Sequence, residues 1–526
     1  MKLDALSDLL REARGASRRD ALALVAAEDA SQTITYGQLD DLCAALGGHL
    51  RGACGLAPGD VVSIVLPRRV SLAQVVGTLG AMAARLVAAP LNPTYHVEEL
   101  EFFIGDAEAK VVVVEAANAS AKSAWLAATT LGLPTLPMEL SWTASGPALT
   151  LGAGGGAPAV DLEPALPTDL ALVLHTSGTT SRPKLVPLTH KNMCASVVAV
   201  VNHYGITARD ATLIVQPLFH IGGLVTPLLS TLSVGGRVAI ASMFDDGKHW
   251  QFVATHGVSW FTAVPTIHKV LLANAARDFR PGAFASGAVP ELRFIRSGSA
   301  ALPPDFLAKI EASFQAPLIE SYGMTEAAQL ICANPLPPGD RYAGSVGVCA
   351  GPEGRVFNAE TGRRAEEDDE GCAGEMCIAG PSVMSGYARN PAANDGAFFA
   401  DPDDDPTNFK WFRTGDLVSR TKEGYYSIVG RIKEIINRAG EKIAPAKLDK
   451  VLAYDGRKDS VVTFGVHCPD FGQAVACAMV FDPDKFADDV LAGPEATRRA
   501  KLLLETALKK LAPHELPTVV YAILKD

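Results

Sequence analysis

With 526 residues, 48% of them hydrophobic and 20% charged, the chain is too long for one ordinary domain and too apolar for disorder. A formal net charge of −11 argues against nucleic-acid binding and against an anionic membrane surface, so any phosphate-bearing ligand must meet positive charge locally. Nine cysteines without a C-x-x-C pair suggest neither a zinc site nor a disulfide framework; with no apolar signal-peptide core and no stretch of transmembrane length, a cytoplasmic protein is expected.

In chain order, a short helical pattern (Leu6, Leu9, Leu10) precedes an apolar run over 21–27. Residues 33–39 read as a strand running into a helix. Thr35 and Gln38 have capping-box spacing, and Leu39, Leu42, Cys43, Leu46 and Leu50 make its buried face. A turn at Pro58-Gly59-Asp60 leads to a strand over 61–66, then a helix over 72–84, a strand over 86–90, a helix over 97–104 and a strand over 109–115. This alternation predicts an α/β domain with parallel strands. Residues 140–166, rich in Gly, Pro and Ala, read as a surface connection.

Further strands are predicted at 212–215, 237–241, 258–262, 292–296 and 317–320. Small, hydroxyl and aromatic residues follow four of them: Pro217-Leu218-Phe219-His220, Ala263-Val264-Pro265-Thr266, Ser297-Gly298-Ser299-Ala300-Ala301-Leu302 and Ser321-Tyr322-Gly323-Met324-Thr325-Glu326. Ligands of open α/β sheets bind at the carboxyl ends of strands, so these segments point to one crevice. Beyond about 345 the strands shorten, residues 401–408 read as a solvated acidic loop, and a domain boundary is placed at Lys433.

The densest chemical signal lies at 169–192. The apolar run 170–174 reads as a buried strand. It empties into Thr176-Ser177-Gly178-Thr179-Thr180-Ser181, then Arg182-Pro183-Lys184, and Thr189 can cap a helix buried through Met193, Val197, Val200, Val201 and Tyr204. Backbone N–H groups, hydroxyls and the Lys184 charge suit a phosphate. The second glycine of a Walker loop is absent. The stretch resembles instead the phosphate loop of the adenylate-forming superfamily of acyl-CoA synthetases, luciferases and peptide-synthetase adenylation domains. Those enzymes carry two hydroxyl residues, Gly, two more hydroxyl residues and G-x-P-K. Ser181-Arg182 in place of Gly-x is similar to the oxalate–CoA ligase branch, which reads H-T-S-G-T-T-S-R-P-K.

That resemblance implies the adenylate-forming fold. A large, multi-subdomain α/β domain (1–432) would bind ATP and the acyl group, and a small, mobile α+β domain (433–526) would follow. It implies ATP, Mg2+ and coenzyme A as co-substrates and cofactor. Thr176, Ser177, Gly178, Thr179, Thr180 and Lys184 would hold the triphosphate. Glu326, in a Y-G-x-T-E match, would carry Mg2+ and Thr325 would touch the α-phosphate; a Glu326 that caps a helix after Thr325 is the other reading. Tyr322 and Gly323 would pack on adenine, with Ser299, Ala300 and Ala301 along its edge. Asp416, in R-T-G-D, and Arg431, in G-R-x-K, would hold the ribose, although an Asp in such a turn is often only a turn residue. Lys433 would be the hinge, and Arg438, Ala439 and Gly440 would line the coenzyme A tunnel, with Ala439 where that branch has Gly. His220 is either a core histidine or a residue between acyl pocket and tunnel.

The resemblance implies an AMP-forming acyl-CoA synthetase acting on a small carboxylic acid, oxalate or a similar short acid. Gly298, Gln329 and Gly222 depart from the oxalate branch, leaving Arg296, Gln329 and His220 as acyl-pocket candidates. Two alternatives remain: an adenylation enzyme loading a carrier protein, and a weakened nucleotide-binding homologue. The second arises because the family's small domain ends in a Gly-Lys stretch, whereas this sequence stops at Lys525-Asp526. Read as an apparent truncation, that ending predicts slow adenylation beside an intact thioester-forming step.

Overall fold

The computed structural model describes residues 5, 18–67, 71–116, 122–152, 162–176, 182–358, 361–365, 372–401, 410–452, 458–481, 511–517 and 519–524. The chain divides into two compact units, Met1–Gly354 with Ile378–Phe412, and Arg355–Cys377 with Arg413–Asp526. The division expected at Lys433 falls inside the second of these.

The first unit holds two largely parallel sheets. The larger runs in the order Val348–Cys349, Gln329–Ala333, Leu318–Met324, Phe294–Ser297, Trp260–Ala263, Ala211–Ile214, Arg237–Ile240, Leu22–Ala26 and Thr33–Thr35. Its strands from Leu318–Met324 to Leu22–Ala26 are parallel, and antiparallel strands close both edges. The other sheet runs Gly146–Leu151, Thr135–Thr143, Val111–Glu115, Val61–Val65, Val87–Pro90, Leu170–Thr176 and Lys184–Thr189, again parallel with antiparallel edges. Both edges of this second sheet depart from expectation. Residues 146–151, read as part of a connection, pair with Thr135–Thr143 as a hairpin that turns at Gly146 (φ 110°). Lys184–Thr189 is a strand despite Pro187, which an edge position tolerates because one face of its backbone needs no ladder donor.

Helix starts follow the local chemistry. Thr35 and Gln38 close a reciprocal capping box on Tyr36–Gly52, with Thr35 N–H donating to Gln38 Oε1 at 2.8 Å. Thr189 and Asn192 do the same for His190–Tyr204, which ends at Gly205 in the left-handed region (φ 55°). The apolar helix Ser71–Ala83 is buried almost all round and touches strands of both sheets, as a helix between two layers must.

Neighbouring residues of the larger sheet alternate between its faces. Phe261 and Ile295 join one core with Trp250, Phe314 and Leu318. Trp260 and Phe294 join the other, where Tyr204, Phe294 and Trp260 stack at centroid spacings of 5.3 and 5.0 Å. In the second unit, residues 416–420 and Tyr426–Arg431 form an antiparallel ladder. A further sheet pairs Glu441–Ile443, Ile436–Arg438, Gly472–Phe481, Lys458–Cys468 and Val519–Leu524 over a core of Ile436, Ile443, Leu448, Leu452, Val475, Cys477 and Leu511. All of that second sheet and core lies beyond Lys433. Among the described residues no helix is long and apolar enough to cross a membrane.

One core residue sets an acid limit. His249 is fully buried among Trp250, Phe261 and Phe244, and neither ring nitrogen has a hydrogen-bond partner among the described residues. Burial, helped by the neighbouring His268, pushes its pKa down to about 3. The folded chain therefore refuses a proton that the unfolded chain accepts below about 6.5. Stability from this site is whole above 6.5 and is lost as pH falls toward 3. At pH 5 the loss is about 2 kcal/mol. His249→Phe is expected to narrow the gap between urea midpoints measured at pH 7.5 and pH 5; an unchanged gap would show that His249 does not set the limit.

Candidate active site

Adjacent parallel strands share a direction, so Ala211–Ile214, Trp260–Ala263, Phe294–Ser297 and Leu318–Met324 deliver their following segments to one sheet edge. Those segments are the ones singled out by composition. Ser299, Ala300 and Ala301 are exposed there, and Ser299 adopts a left-handed conformation (φ 71°). Tyr322 is half-buried and lies opposite Cys332. Gly323 is required by geometry: a Cβ at this position would overlap the carbonyl oxygen of Gln329 on the returning strand. His220 caps the single turn Ile221–Gly223 and is exposed, its ring beside Phe219 at 4.7 Å; it is not the buried core histidine of the plainer reading.

The phosphate-loop candidates begin at a hairpin. Thr176 lies opposite Lys184 across the Leu170–Thr176 and Lys184–Thr189 ladder, while Ser177, Gly178, Thr179 and Thr180 lie outside the described residues. The base of the hairpin is held from beneath by the helix Val97–Asp106. His175 bonds to Asp106 at 2.9 Å, and the Arg182 guanidinium stands 4.6 Å over Phe102. Burial lowers the pKa of His175, and the Asp106 contact only partly offsets it, which favours the neutral imidazole.

Lys184 and Glu326 meet on one aromatic ring. The Lys184 ammonium lies 4.4 Å from the Tyr387 ring centroid, and the Tyr387 hydroxyl donates to Glu326 Oε1 at 2.8 Å. Glu326 is buried in the one-turn helix Thr325–Ala327, with Thr325 half-buried before it. The chemistry of this donor set fits Mg2+ held mainly by ligand phosphates: one hard carboxylate is present, and among the described residues no three His, Cys, Asp or Glu side chains cluster to form a protein-only metal cage.

Two arginines three residues apart have different surroundings. Arg293 pairs with the buried Asp210 at 3.0 Å. Arg296, only 3% exposed, has neutral partners, Tyr204 hydroxyl at 3.1 Å and Thr262 Oγ1 at 3.0 Å, and no carboxylate pairs with it among the described residues. Its guanidinium lies against Gly298, where an added Cβ would stand 3.3 Å from Arg296 Nη1. Gln329 is buried too, and its Oε1 lacks a partner among the described residues. Ala328 (φ 51°) and Gln329 (φ 108°) are consecutive left-handed residues.

The second unit carries the remaining candidates. Asp416 is buried and accepts an ion pair from Arg431 Nε at 3.1 Å across adjacent strands; Arg431 itself is mostly exposed. Lys433 is exposed in the short turn Ile432–Glu434. Arg438 donates to His514 O at 2.7 Å, and Ala439 (φ 52°) with Gly440 (φ 96°) makes the hairpin turn into Glu441–Ile443. Two positive φ values in a two-residue turn favour glycine at both places, and Ala439 bears the cost. Sequence reasoning missed Tyr387, Asp106 and Asn192. Asn192 Nδ2 donates to Pro381 O and Val383 O, links across 189 and 191 residues of sequence that no local pattern announces.

The AMP-binding enzyme family matches residues 11–388. The chain is 39% identical to an oxalate–CoA ligase of Arabidopsis thaliana over 91% of this chain and 89% of that protein. It is 34% identical to an oxalate–CoA ligase of Saccharomyces cerevisiae, over 88% of this chain and 83% of that one. The structure of ATP-bound MatB from Rhodopseudomonas palustris superposes with a TM-score of 0.80 at 26% identity, covering 99% of this chain and 95% of that chain. With these likenesses running over both sheets and the strand-end segments, the chain belongs to the AMP-binding enzyme family, as an AMP-forming acid–CoA ligase that uses ATP, Mg2+ and coenzyme A.

Proposed function

We propose that the acid is a short one with a second anionic group, oxalate first among the candidates. The observation that carries this is Arg296. A buried guanidinium whose partners among the described residues are hydroxyls leaves an uncompensated charge, which a carboxylate would neutralise. Gln329 beside the same edge offers a second polar contact, and the exposed His220 would face the incoming thiol. The oxalate–CoA ligase relatives support the same choice.

In this reading the acid's reacting carboxylate attacks the α-phosphorus of ATP, pyrophosphate leaves, and the acyl adenylate then passes its acyl group to the coenzyme A thiol with release of AMP. Lys184 and the Thr176 loop neutralise the triphosphate. Tyr322, Gly323 and the 299–301 backbone hold adenine, and Asp416 with Arg431 holds the ribose. Thr325 steadies the α-phosphate and Glu326 carries the Mg2+, which supplies charge neutralisation on the phosphates. The segment beyond Lys433 is the mobile part, with Arg438, Ala439 and Gly440 on the thiol's path. Most of the catalysis expected here is positioning and charge stabilisation.

The decisive measurement is coenzyme A consumption with ATP across oxalate, malonate, acetate, a medium-chain acid and coumarate. Oxalate or another short dianion should lead, and a lead by medium-chain acids or coumarate would overturn the substrate assignment while leaving the family intact. Arg296→Gln should lower kcat/KM for oxalate by about 10- to 150-fold, the range for losing a hydrogen bond to a charged group, with acetate little changed. Asp416→Ala should weaken calorimetric ATP binding by a similar factor without affecting the acid; unchanged ATP affinity would remove Asp416 from the ribose site.

A further inference from the structure

Tyr387 belongs to no motif used above, yet it touches both the lysine assigned to the triphosphate and the carboxylate assigned to its Mg2+. Its ring face receives the Lys184 ammonium at 4.4 Å, and its hydroxyl reaches Glu326 Oε1 at 2.8 Å. The side chain is 8% exposed. Its backbone is fixed on both sides: Tyr387 N–H donates to Asn394 Oδ1 at 2.8 Å, and Asn394 Nδ2 donates back to Tyr387 O at 2.9 Å. The next residue, Ala388, donates its N–H to Leu185 O at 2.9 Å, one residue beyond Lys184. Three residues before the ring, Met384 N–H donates to Glu326 O at 2.8 Å, and Asn192 holds the carbonyls of Pro381 and Val383. Gly386 (φ 148°) permits the approach to Asn394, where an added Cβ would stand 3.2 Å from Oδ1. The segment is thus clipped to the Lys184 strand and to the Glu326 turn at once, and the phenol ring spans the distance between the two side chains.

We infer that Tyr387 is a positioning residue for the adenylation half-reaction, an inference that rests on Lys184 and Glu326 being the phosphate and Mg2+ groups. The hydroxyl occupies one carboxylate oxygen of Glu326 and so fixes the direction in which the other oxygen faces a cation. The ring face holds the ammonium without neutralising it, since a π-face attracts a cation but carries no net charge. The contact places the Lys184 charge without adding one of its own. Both groups are oriented before ATP arrives, which is the form of preorganisation that charge stabilisation needs.

The test uses the full 526-residue chain and calorimetric ATP binding, with and without Mg2+ and with no acid present. Tyr387→Phe keeps the ring and removes the donor. It should cut the Mg2+-dependent gain in ATP affinity by about tenfold and leave Mg2+-free ATP binding unchanged. Tyr387→Leu should in addition weaken Mg2+-free binding by about two- to fivefold, because Lys184 loses its aromatic face. Thioester formation from synthetic acyl adenylate and coenzyme A should be unaffected by either. Equal losses in both half-reactions would mark a general structural role and overturn the inference, as would an unchanged Mg2+ effect in Tyr387→Phe. Should Tyr387→Phe melt early, a double-mutant cycle with Glu326→Gln decides on the folded fraction: the hydroxyl's effect on Mg2+ must vanish in the Glu326→Gln background, and persistence there overturns the inference. If Glu326→Gln alone leaves the Mg2+ effect intact, the failure lies with the assignment of Glu326 itself.

Discussion

Parallel strands cannot choose their ends independently. Once the strands from Leu318–Met324 to Leu22–Ala26 run the same way, every segment that follows one of them must leave by the same edge. The candidate site depends on that constraint. Residues as far apart in sequence as His220, Ser299 and Tyr322 share an edge because the sheet has one direction, and the helices that return the chain do so over its two faces. The buried rows Trp260–Phe294 and Phe261–Ile295 fix the register that keeps these ends level. Packing on the two faces and the site on the edge are therefore consequences of one arrangement.

Within a chain of net charge −11, positive groups at the edge have to be rationed between holding the fold and meeting the ligands. The partners reveal the division. Arg293 is held by Asp210, and Arg85 by Asp169 at 2.8 Å, so both serve the scaffold. Arg296 has hydroxyls instead, and Lys184 rests on an aromatic face. Neither a hydroxyl nor an aromatic ring carries a net charge of its own. Asp416 is intermediate, since its partner Arg431 is mostly exposed and water weakens that pair.

Much of this was legible in local chemistry. The capping box at Thr35, the helix cap at Thr189 and the strand ends of the larger sheet are short-range signals, and each is where the residues indicated. The hairpin of Thr135–Thr143 and Gly146–Leu151 was not, because its Gly, Pro and Ala content resembles a connection while its pairing is decided by the neighbouring strand Val111–Glu115. The strand Lys184–Thr189 was hidden by Pro187 for the same reason: an edge in three dimensions does not show in one. Tyr387 was illegible because the groups it touches lie 61 residues away, at Glu326, and 203 residues away, at Lys184. Motifs announce the groups that touch ligands far better than the groups that hold those groups in place.

The turn between Glu326 and Gln329 shows what holding them in place costs. Two consecutive non-glycine residues there are left-handed, each at a cost of about 1 kcal/mol or more, and Gln329 is buried with an unpartnered Oε1 among the described residues. The returning strand Gln329–Ala333 is buried throughout and pairs on both sides, with Leu318–Met324 and with Val348–Cys349. That pairing offsets the strain and leaves the turn no room to relax. Gly323 completes the constraint, because only a residue without a side chain lets the Gln329 carbonyl close upon it. A relaxed turn would need the strand to slip by a residue, which would send its buried side chains to the wrong face. The tension in the turn and the fixed backbone position of Glu326 are thus two results of one tightly packed hairpin.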